Sequence, residues 1–207
     1  MMEDEIQKYI RCMVEIKLRD QVIKSHLTGK CSTGQPITDS ELICLQFRKI
    51  AELILLSALC AHRDEYLKVH RNIEKEWDTG KIQRTLDNIQ PDFYPVPFVR
   101  VVDQFTGKEK IQRVTNGFLS KDECISLICQ CGKILHGFNP YNDVNTFKEV
   151  EDVKDNFPEW LSKIRRLLYR HEIKLFGTDK RLWVYMCYGA KRKVLVEERV
   201  PRMDKSM

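Results

Sequence analysis

The sequence predicts an α+β fold, mainly α: a helical bundle with a central β-hairpin and a C-terminal antiparallel β-meander. Long stretches with apolar residues at helical spacing, and short segments rich in β-branched and aromatic residues between turn signals, favour this class. The 207 residues suffice for one domain with a sizeable core. We expect a bundle over 1–171 with strands inserted at about 98–114, further strands of the same domain over 172–200, and a loose tail over 201–207.

Composition is typical of a globular protein, with 43% hydrophobic and 31% charged residues. The net charge of +5 permits binding to nucleic acid without demanding it. The acidic start, MMEDE, differs from the basic start of a secretory signal, so we expect a cytoplasmic protein whose eight cysteines are reduced thiols. No membrane association is expected, because the apolar run at 53–61 is shorter than the roughly 20 residues of a membrane span.

Two helices are predicted to open the chain. Apolar residues recur at helical spacing over 4–27, which indicates an amphipathic helix. The second helix is predicted over 41–72, and Thr38 with Glu41 has the pattern of a capping box at its start. Apolar residues lie on most sides of this helix between Leu42 and Ala61, so we expect it in the middle of the bundle.

The remaining elements alternate between helix and strand. Three prolines in 90–97 exclude a helix after the short helix predicted at 81–89. Segments 98–102 and 110–114 flank Gly107 and predict a β-hairpin. Ser120 with Glu123 forms a second capping-box pattern, for a helix that ends at His136. The last predicted elements are a helix at about 155–170 and the meander strands at 173–175, 182–188 and 193–200.

A stripe of polar residues runs along one face of the second predicted helix. Arg48, Glu52, Arg63 and His70 fall within an arc of about 60°, at about 100° of turn per residue. Charges set into an apolar helix need partners or water, because burying an unpaired charge costs several kcal/mol. The stripe is therefore a candidate site. The alternative for Arg48 and Glu52, which stand at i and i+4, is an internal ion pair.

Two pairs of residue types suggest RNA chemistry. An Arg can hold a phosphodiester, and a His with a pKa near neutral can move the proton of a ribose hydroxyl. Arg63 with His70, and Arg166 with His171, have a spacing that would allow this. The alternative is that both pairs lie on solvated helix faces.

Two further regions are candidates for binding. His136 comes at a predicted helix end, close to Asn139 and Tyr141, where binding sites are often assembled. A role of His136 as a helix cap is the alternative. In the last block basic residues including Arg166 and Arg192 alternate with aromatic residues including Trp183, a composition that can hold a nucleic-acid backbone and stack bases. The alternative is a solvated sheet face with its aromatic residues in the core.

The sequence predicts neither a cofactor nor a metal. It contains no nucleophile elbow, phosphate loop or dinucleotide fingerprint. Cys124, Cys129, Cys131 and His136 crowd one predicted helix, but they point to two different faces of it. We interpret these cysteines as small buried hydrophobic residues.

Three blocks of the chain resemble a bacterial protein family of unknown activity: LQFRKIAELI at 45–54, NIQPDFYPVP at 88–97, and GKILH at 132–136 with NPY at 139–141. More distantly, the helix with Arg48 and Glu52 and the later helix that ends in His136 resemble the core of HEPN domains. This resemblance implies a helical bundle that forms a homodimer and occurs in toxin, defence or RNA-processing systems.

Active HEPN domains cut RNA without a metal, using an Arg, a short spacer led by a polar residue, and a His. The segment from Arg63 and Asp64 to His70 fits this spacing, whereas Cys131 stands where an Arg is expected before His136. The resemblance thus implies a metal-independent endoribonuclease in which Arg63 and Arg48 hold phosphate and His70 or His136 moves protons. The alternative is a non-catalytic binding or regulatory module for RNA, a nucleotide or a protein partner.

Overall fold

The fold is α+β, mainly α, with helices packed against a five-stranded antiparallel sheet. The computed structural model describes residues 2–69, 78–104, 107–137, 141, 146–175, 178, 180–187 and 193–199. The helices are α1 (Met2–Leu27), α2 (Pro36–Val69), α3 (Thr79–Ile89), α4 (Lys121–Leu135), α5 (Thr146–Lys154) and α6 (Phe157–Leu168). None of them is long and apolar enough to cross a membrane.

Helix α2 is the centre of the bundle, as predicted, and it packs against α1, α3, α4 and α5. Its start differs from the prediction. The helix begins at Pro36, a residue whose fixed φ suits the first helical position, so Thr38 lies inside the first turn and caps nothing. The helix also kinks at His62, where φ is −126° and ψ is 17°. Arg48 and Glu52 therefore lie before the kink, and Arg63 lies after it.

The strands are β1 (Val96–Val102), β2 (Glu109–Arg113), β3 (Arg170–Lys174), β4 (Arg181–Tyr185) and β5 (Leu195–Arg199). Their spatial order is β2-β1-β3-β4-β5. The predicted hairpin and the predicted meander both exist, but they are parts of one sheet because Val96 and Pro97 of β1 pair with Glu172 and His171 of β3.

The two faces of the sheet differ in polarity. In β4, Leu182 and Val184 are buried, whereas Arg181, Trp183 and Tyr185 are partly exposed, as the side-chain alternation of a strand requires. Phe98 of β1 packs on the partly exposed face, with ring centroids 5.4 Å from Trp183 and 5.9 Å from Tyr185.

Helix α4 confirms the second capping-box prediction. Ser120 accepts a hydrogen bond from the backbone N–H of Glu123, and the Glu123 side chain accepts one from the backbone N–H of Ser120. The single helix predicted at about 155–170 is shorter, because α6 ends at Leu168 and strand β3 begins at Arg170. Helix α5 was not predicted, and the expected tail over 201–207 lies outside the described residues.

Candidate functional site

Arg48 and Glu52 form the internal ion pair that the i, i+4 spacing allows. The Arg48 Nε donates to Glu52 Oε1 at 3.0 Å, and Lys49 Nζ lies 2.8 Å from Glu52 Oε2. A Cβ atom on Gly132 of α4 would lie 3.7 Å from Arg48 Nη1, so this guanidinium group lies against α4. The charges of this part of the stripe therefore already have partners.

Arg63 lies beyond the kink and contacts a different helix. Its Nε is 3.5 Å from Glu5 Oε1 of α1, and its Nη1 is 3.4 Å from Asp64 Oδ1. At a rise of about 1.5 Å per residue, Arg48 and Arg63 are roughly 22 Å apart along α2, too far for both to hold one phosphate. His70 lies outside the described residues.

His136 is the C-cap of α4, and its side chain is exposed. Its backbone N–H donates to the Gly132 carbonyl at 3.2 Å, so the capping position predicted for this residue is present. Tyr141 is 96% exposed, and Asn139 lies outside the described residues.

His171 does not lie on a helix face. It belongs to β3 and is fully buried. Its Nε2 lies 2.6 Å from the Tyr9 hydroxyl, and its Nδ1 lies 3.0 Å from the Leu168 carbonyl. Burial lowers the pKa of His171 to about 4. This histidine is part of the core and cannot reach a bound RNA, so the structure does not bring Arg166 and His171 together as a site.

The partly exposed sheet face uses several of its charges internally. Arg113 and Arg181 both donate to Glu172 Oε1, each with one distance of 2.7 Å. The Arg199 guanidinium lies over the Trp183 ring, 5.5 Å from its centroid. Trp183 thus packs within the sheet between Phe98 and Arg199, and Arg192 lies outside the described residues.

A groove with a volume of about 610 Å³ lies where α1, the C-terminal end of α6 and strand β1 meet. Helix α6 brings Arg165 and Arg166 to it, and Tyr169 and Arg170 follow directly in the chain. The other lining residues come from α1, from β1 and from the segment after β2: Lys17, Asp20, Gln21, Lys24, Phe98, Val99 and Val114. The lining holds five basic side chains and one acidic side chain.

Two of the basic side chains of this groove, Arg165 and Lys17, have structural partners. The Arg165 guanidinium donates to both carboxylate oxygens of buried Asp20, at 2.6 and 2.9 Å. Lys17 is also buried, and its Nζ donates to the carbonyls of Met186 at 2.5 Å and Cys187 at 3.1 Å. These bonds fasten α1 to α6 and to the end of β4.

The other three cations of the groove have no ion-pair partner among the described residues. Lys24 and Arg166 are exposed, and Arg170, which is partly exposed, stacks over the Tyr169 ring at 5.2 Å. Tyr169 is itself 51% exposed. Arg166 also passes close to Gly117, whose φ of +72° favours glycine, and a Cβ there would lie 3.5 Å from the guanidinium. The groove therefore presents positive charge and an aromatic ring to solvent.

A second hollow of about 290 Å³ continues the groove, because Tyr169 and Arg170 line both. It adds Arg100, whose Nη2 donates to the Tyr185 hydroxyl at 2.5 Å and whose guanidinium lies 5.1 Å above the Tyr185 ring centroid. The Arg100 Nη1 lies 3.5 Å from Glu109 Oε2, and the attraction between them is weak because both side chains are exposed to solvent. Glu197 also lines this second hollow. Together the two hollows make one path from α1 to the sheet face that is rich in basic and aromatic side chains.

Part of this path was visible in the sequence. The basic and aromatic block predicted Arg166, and Tyr169 and Arg170 belong to the same block. Lys24 and Phe98 were missed, because they come from distant parts of the chain and only the packing of α1 and β1 brings them to α6.

Within the described ranges, no group of three or more His, Cys, Asp or Glu side chains is placed to hold a metal ion. All eight cysteines are free thiols.

Comparison of the chain with known protein families, with curated proteins and with solved structures finds no match.

Proposed function

We propose that the protein binds single-stranded RNA along the groove between α1, α6 and β1. The observation that carries this proposal is the cluster of Lys24, Arg166 and Arg170, three cations without ion-pair partners among the described residues, around the exposed ring of Tyr169. Cations that are not neutralised internally attract phosphate and gain free energy by releasing its counterions.

The aromatic residues favour a single strand over a duplex. An exposed tyrosine ring can stack on an unpaired base, an interaction worth about 1–3 kcal/mol per base, whereas paired bases hide their faces in the helix. Tyr169 offers such a ring, and Tyr185 lies further along the same path. The resemblance of α2 and α4 to HEPN domains supports RNA as the nucleic acid.

The same resemblance supports two finer proposals: the chain forms a homodimer, and it belongs to a defence or toxin system. A third proposal, that the protein works in the cytoplasm, is supported by its eight free thiols. Light scattering on the purified protein tests the first of these. A mass equal to one chain at micromolar concentration would contradict it.

The test of RNA binding is fluorescence anisotropy with a labelled single-stranded oligonucleotide, for wild type and two charge-reversed variants. Arg166→Glu removes a groove cation, and Arg84→Glu reverses an exposed arginine of α3 that does not line the groove. We expect Arg166→Glu to weaken binding at least tenfold and Arg84→Glu to change it less than twofold. Equal effects of the two variants would contradict the groove as the site.

A second candidate function, a metal-independent endoribonuclease, is supported by one observation. Arg48 lies against Gly132 on α4, and the exposed His136 follows Gly132 by four positions, about one helical turn. This arrangement agrees with the HEPN-like expectation, although Arg48 is paired with Glu52.

This candidate is tested by incubating cellular RNA with the purified protein in excess EDTA, beside folded His136→Ala and His70→Ala variants. Cleavage by wild type that is lost in one variant would establish the nuclease and identify its histidine. Intact RNA with the wild-type protein, under conditions in which the protein binds RNA, would leave binding as the function.

A further inference from the structure

A separate cavity of about 480 Å³ lies where the N-terminal half of α1 meets the kinked part of α2 and strand β4. Its volume falls within the range of small-molecule sites, roughly 300–1,000 Å³. Apolar groups form much of the wall, from Ile6, Tyr9, Ala61, Leu175 and Leu182. The cavity is distinct from the RNA groove, because Tyr9 and Gln21 of α1 are roughly 18 Å apart along that helix.

His62 lies in the wall of this cavity and is 1% exposed. Neither of its ring nitrogens has a hydrogen-bond partner in the described part of the chain. A buried polar atom without a partner costs about 1–3 kcal/mol. Helix α2 kinks at this same residue. His62 is therefore buried beside a cavity at free-energy cost, and the described residues supply no hydrogen-bond partner for it. A ligand in the cavity could be that partner.

Burial lowers the pKa of His62 to about 4. The imidazole is therefore neutral near pH 7, and it offers one N–H donor and one acceptor nitrogen. A hydroxyl or amide group can bond to either nitrogen.

We propose that this cavity binds an uncharged small molecule with an apolar body and a terminal hydroxyl or amide group, and that the His62 ring turns towards the cavity to form a hydrogen bond with that group. The apolar wall suits the body of such a ligand, and His62 orients its polar end.

The charged groups at the cavity favour an uncharged ligand. Lys180 lies 2.6 Å from Glu198, and Glu65 lies 2.5 Å from Lys68, so both already have close partners of opposite charge. Arg63 lies between Glu5 and Asp64. An ionic ligand would have to compete with these pairs for a partner, whereas an uncharged ligand leaves them intact.

Three matched ligands test the proposal: phenol has a ring and a hydroxyl, benzene has the ring alone, and benzoate has the ring and a charge. The measurement is a titration of each into labelled full-length protein, followed by NMR through the His62 ring nitrogens and the amides of Ala61 and Leu182. We expect the shifts of these signals to reach saturation with phenol. Phenol should bind about three- to tenfold more tightly than benzene, a difference that corresponds to the free energy of one hydrogen bond. We expect benzoate to bind more weakly than phenol.

Two variants and a control distinguish the contribution of the hydrogen bond to binding from the contribution of the cavity volume. His62→Leu removes the polar group without removing a partner of any described residue, so we expect a folded protein that binds phenol only as tightly as benzene. Ala61→Phe fills the cavity and is expected to abolish binding of both. His136→Leu, an exposed histidine on α4, serves as the control and is expected to bind phenol like wild type.

The proposal is overturned if phenol leaves the His62 signals unchanged at millimolar concentration, or if wild type binds benzene as tightly as phenol. Phenol affinity that stays at the wild-type level in a folded His62→Leu or Ala61→Phe variant would also overturn it. If one variant fails to fold, the other variant and the comparison of ligands on wild type still decide the question.

Discussion

The contact between α2 and α4 and the groove between α1, α6 and β1 both contain arginines, yet they differ in how those charges are neutralised. At the first, Arg48 and Lys49 share the carboxylate of Glu52. At the second, Lys24 and Arg166 line the groove, are exposed and have no ion-pair partner in the described part of the chain. Both regions hold more cations than carboxylates, but only the groove holds cations without an ion-pair partner among the described residues.

This difference shows why a polar stripe on one helix is a weak indication of a site. Residues at i and i+4 on a helix are neighbours whatever the protein does, and an Arg and a Glu at that spacing pair with each other. Cations from three separate elements repel one another in a groove whose single carboxylate, Asp20, is already bound to Arg165. Such an arrangement is explained better by an anionic ligand than by stability.

The largest effect is expected from neutralising the groove. In the triple variant Lys24→Gln, Arg166→Gln, Arg170→Gln, three phosphate contacts are lost, so the slope of log affinity against log salt should fall by about 2. At 0.1 M salt this corresponds to roughly 100-fold weaker RNA binding. The measurement is anisotropy over a salt series.

The control for that series is the double variant Arg84→Gln, Lys133→Gln, which removes exposed charge outside the groove. If the slope falls as much in the control as in the groove variant, the groove cations contribute no more to RNA binding than other exposed charges do.

The next largest effect is expected from the buried His171. His171 is buried with its pKa lowered to about 4, against 6.5 in the unfolded chain. The unfolded state therefore binds more protons below pH 6.5, and the free energy of unfolding falls as pH drops from 6.5 towards 4. We expect His171 to account for a loss of about 2 kcal/mol between pH 6.5 and 4.5.

Urea unfolding at several pH values checks this loss. His171→Gln should show a shallower dependence of stability on pH than wild type. Equal slopes for wild type and His171→Gln would contradict the buried neutral state of His171.

A smaller effect is expected at the floor of the groove. Asp20→Asn removes the charge that receives two hydrogen bonds from Arg165. Since hydrogen bonds to charged groups contribute about 1.5–3 kcal/mol and Arg165 is partly exposed, we expect the free energy of unfolding to fall by about 1.5 kcal/mol. Chemical denaturation measures it, and an unchanged midpoint would show that the pair does not hold α1 to α6.

The smallest effect is expected at the α2 ion pair. Arg48→Gln and Glu52→Gln, singly and together, should give a coupling energy of about 0.3–0.5 kcal/mol, as for other pairs of this spacing on a helix surface. A double-mutant cycle by urea denaturation measures it. Neither single variant should change RNA affinity by more than twofold, and a tenfold loss in Arg48→Gln would move the binding site to this region.

The sequence predicted most helices and strands because their signals are local. Periodicity indicated α1 and α2, and the Ser120 and Glu123 pattern marked the start of α4. The joining of the hairpin to the meander depends on Val96 pairing with Glu172, residues far apart in the chain that share no local signal. Helix α5 was missed because its nine residues, TFKEVEDVK, are mostly polar and carry few apolar positions.

The candidate site was predictable only to the extent that it is local. The basic and aromatic pattern could be recognised in the sequence, because five consecutive positions contain Arg166, Tyr169 and Arg170. The contribution of Lys24 depends on the packing of α1 beside α6, and the burial of His171 depends on its pairing within the sheet. Tertiary packing, which local patterns do not encode, determined both outcomes.

The most direct test is ultraviolet crosslinking of a bound single-stranded RNA to the wild-type protein, with the crosslinked peptides identified by mass spectrometry. If RNA lies along the groove and the adjoining hollow, crosslinks will concentrate on peptides that contain Tyr169 and Tyr185, and they will disappear in the triple groove variant. Crosslinks confined to the end of α4 around His136 would contradict the groove and place RNA at the contact between α2 and α4.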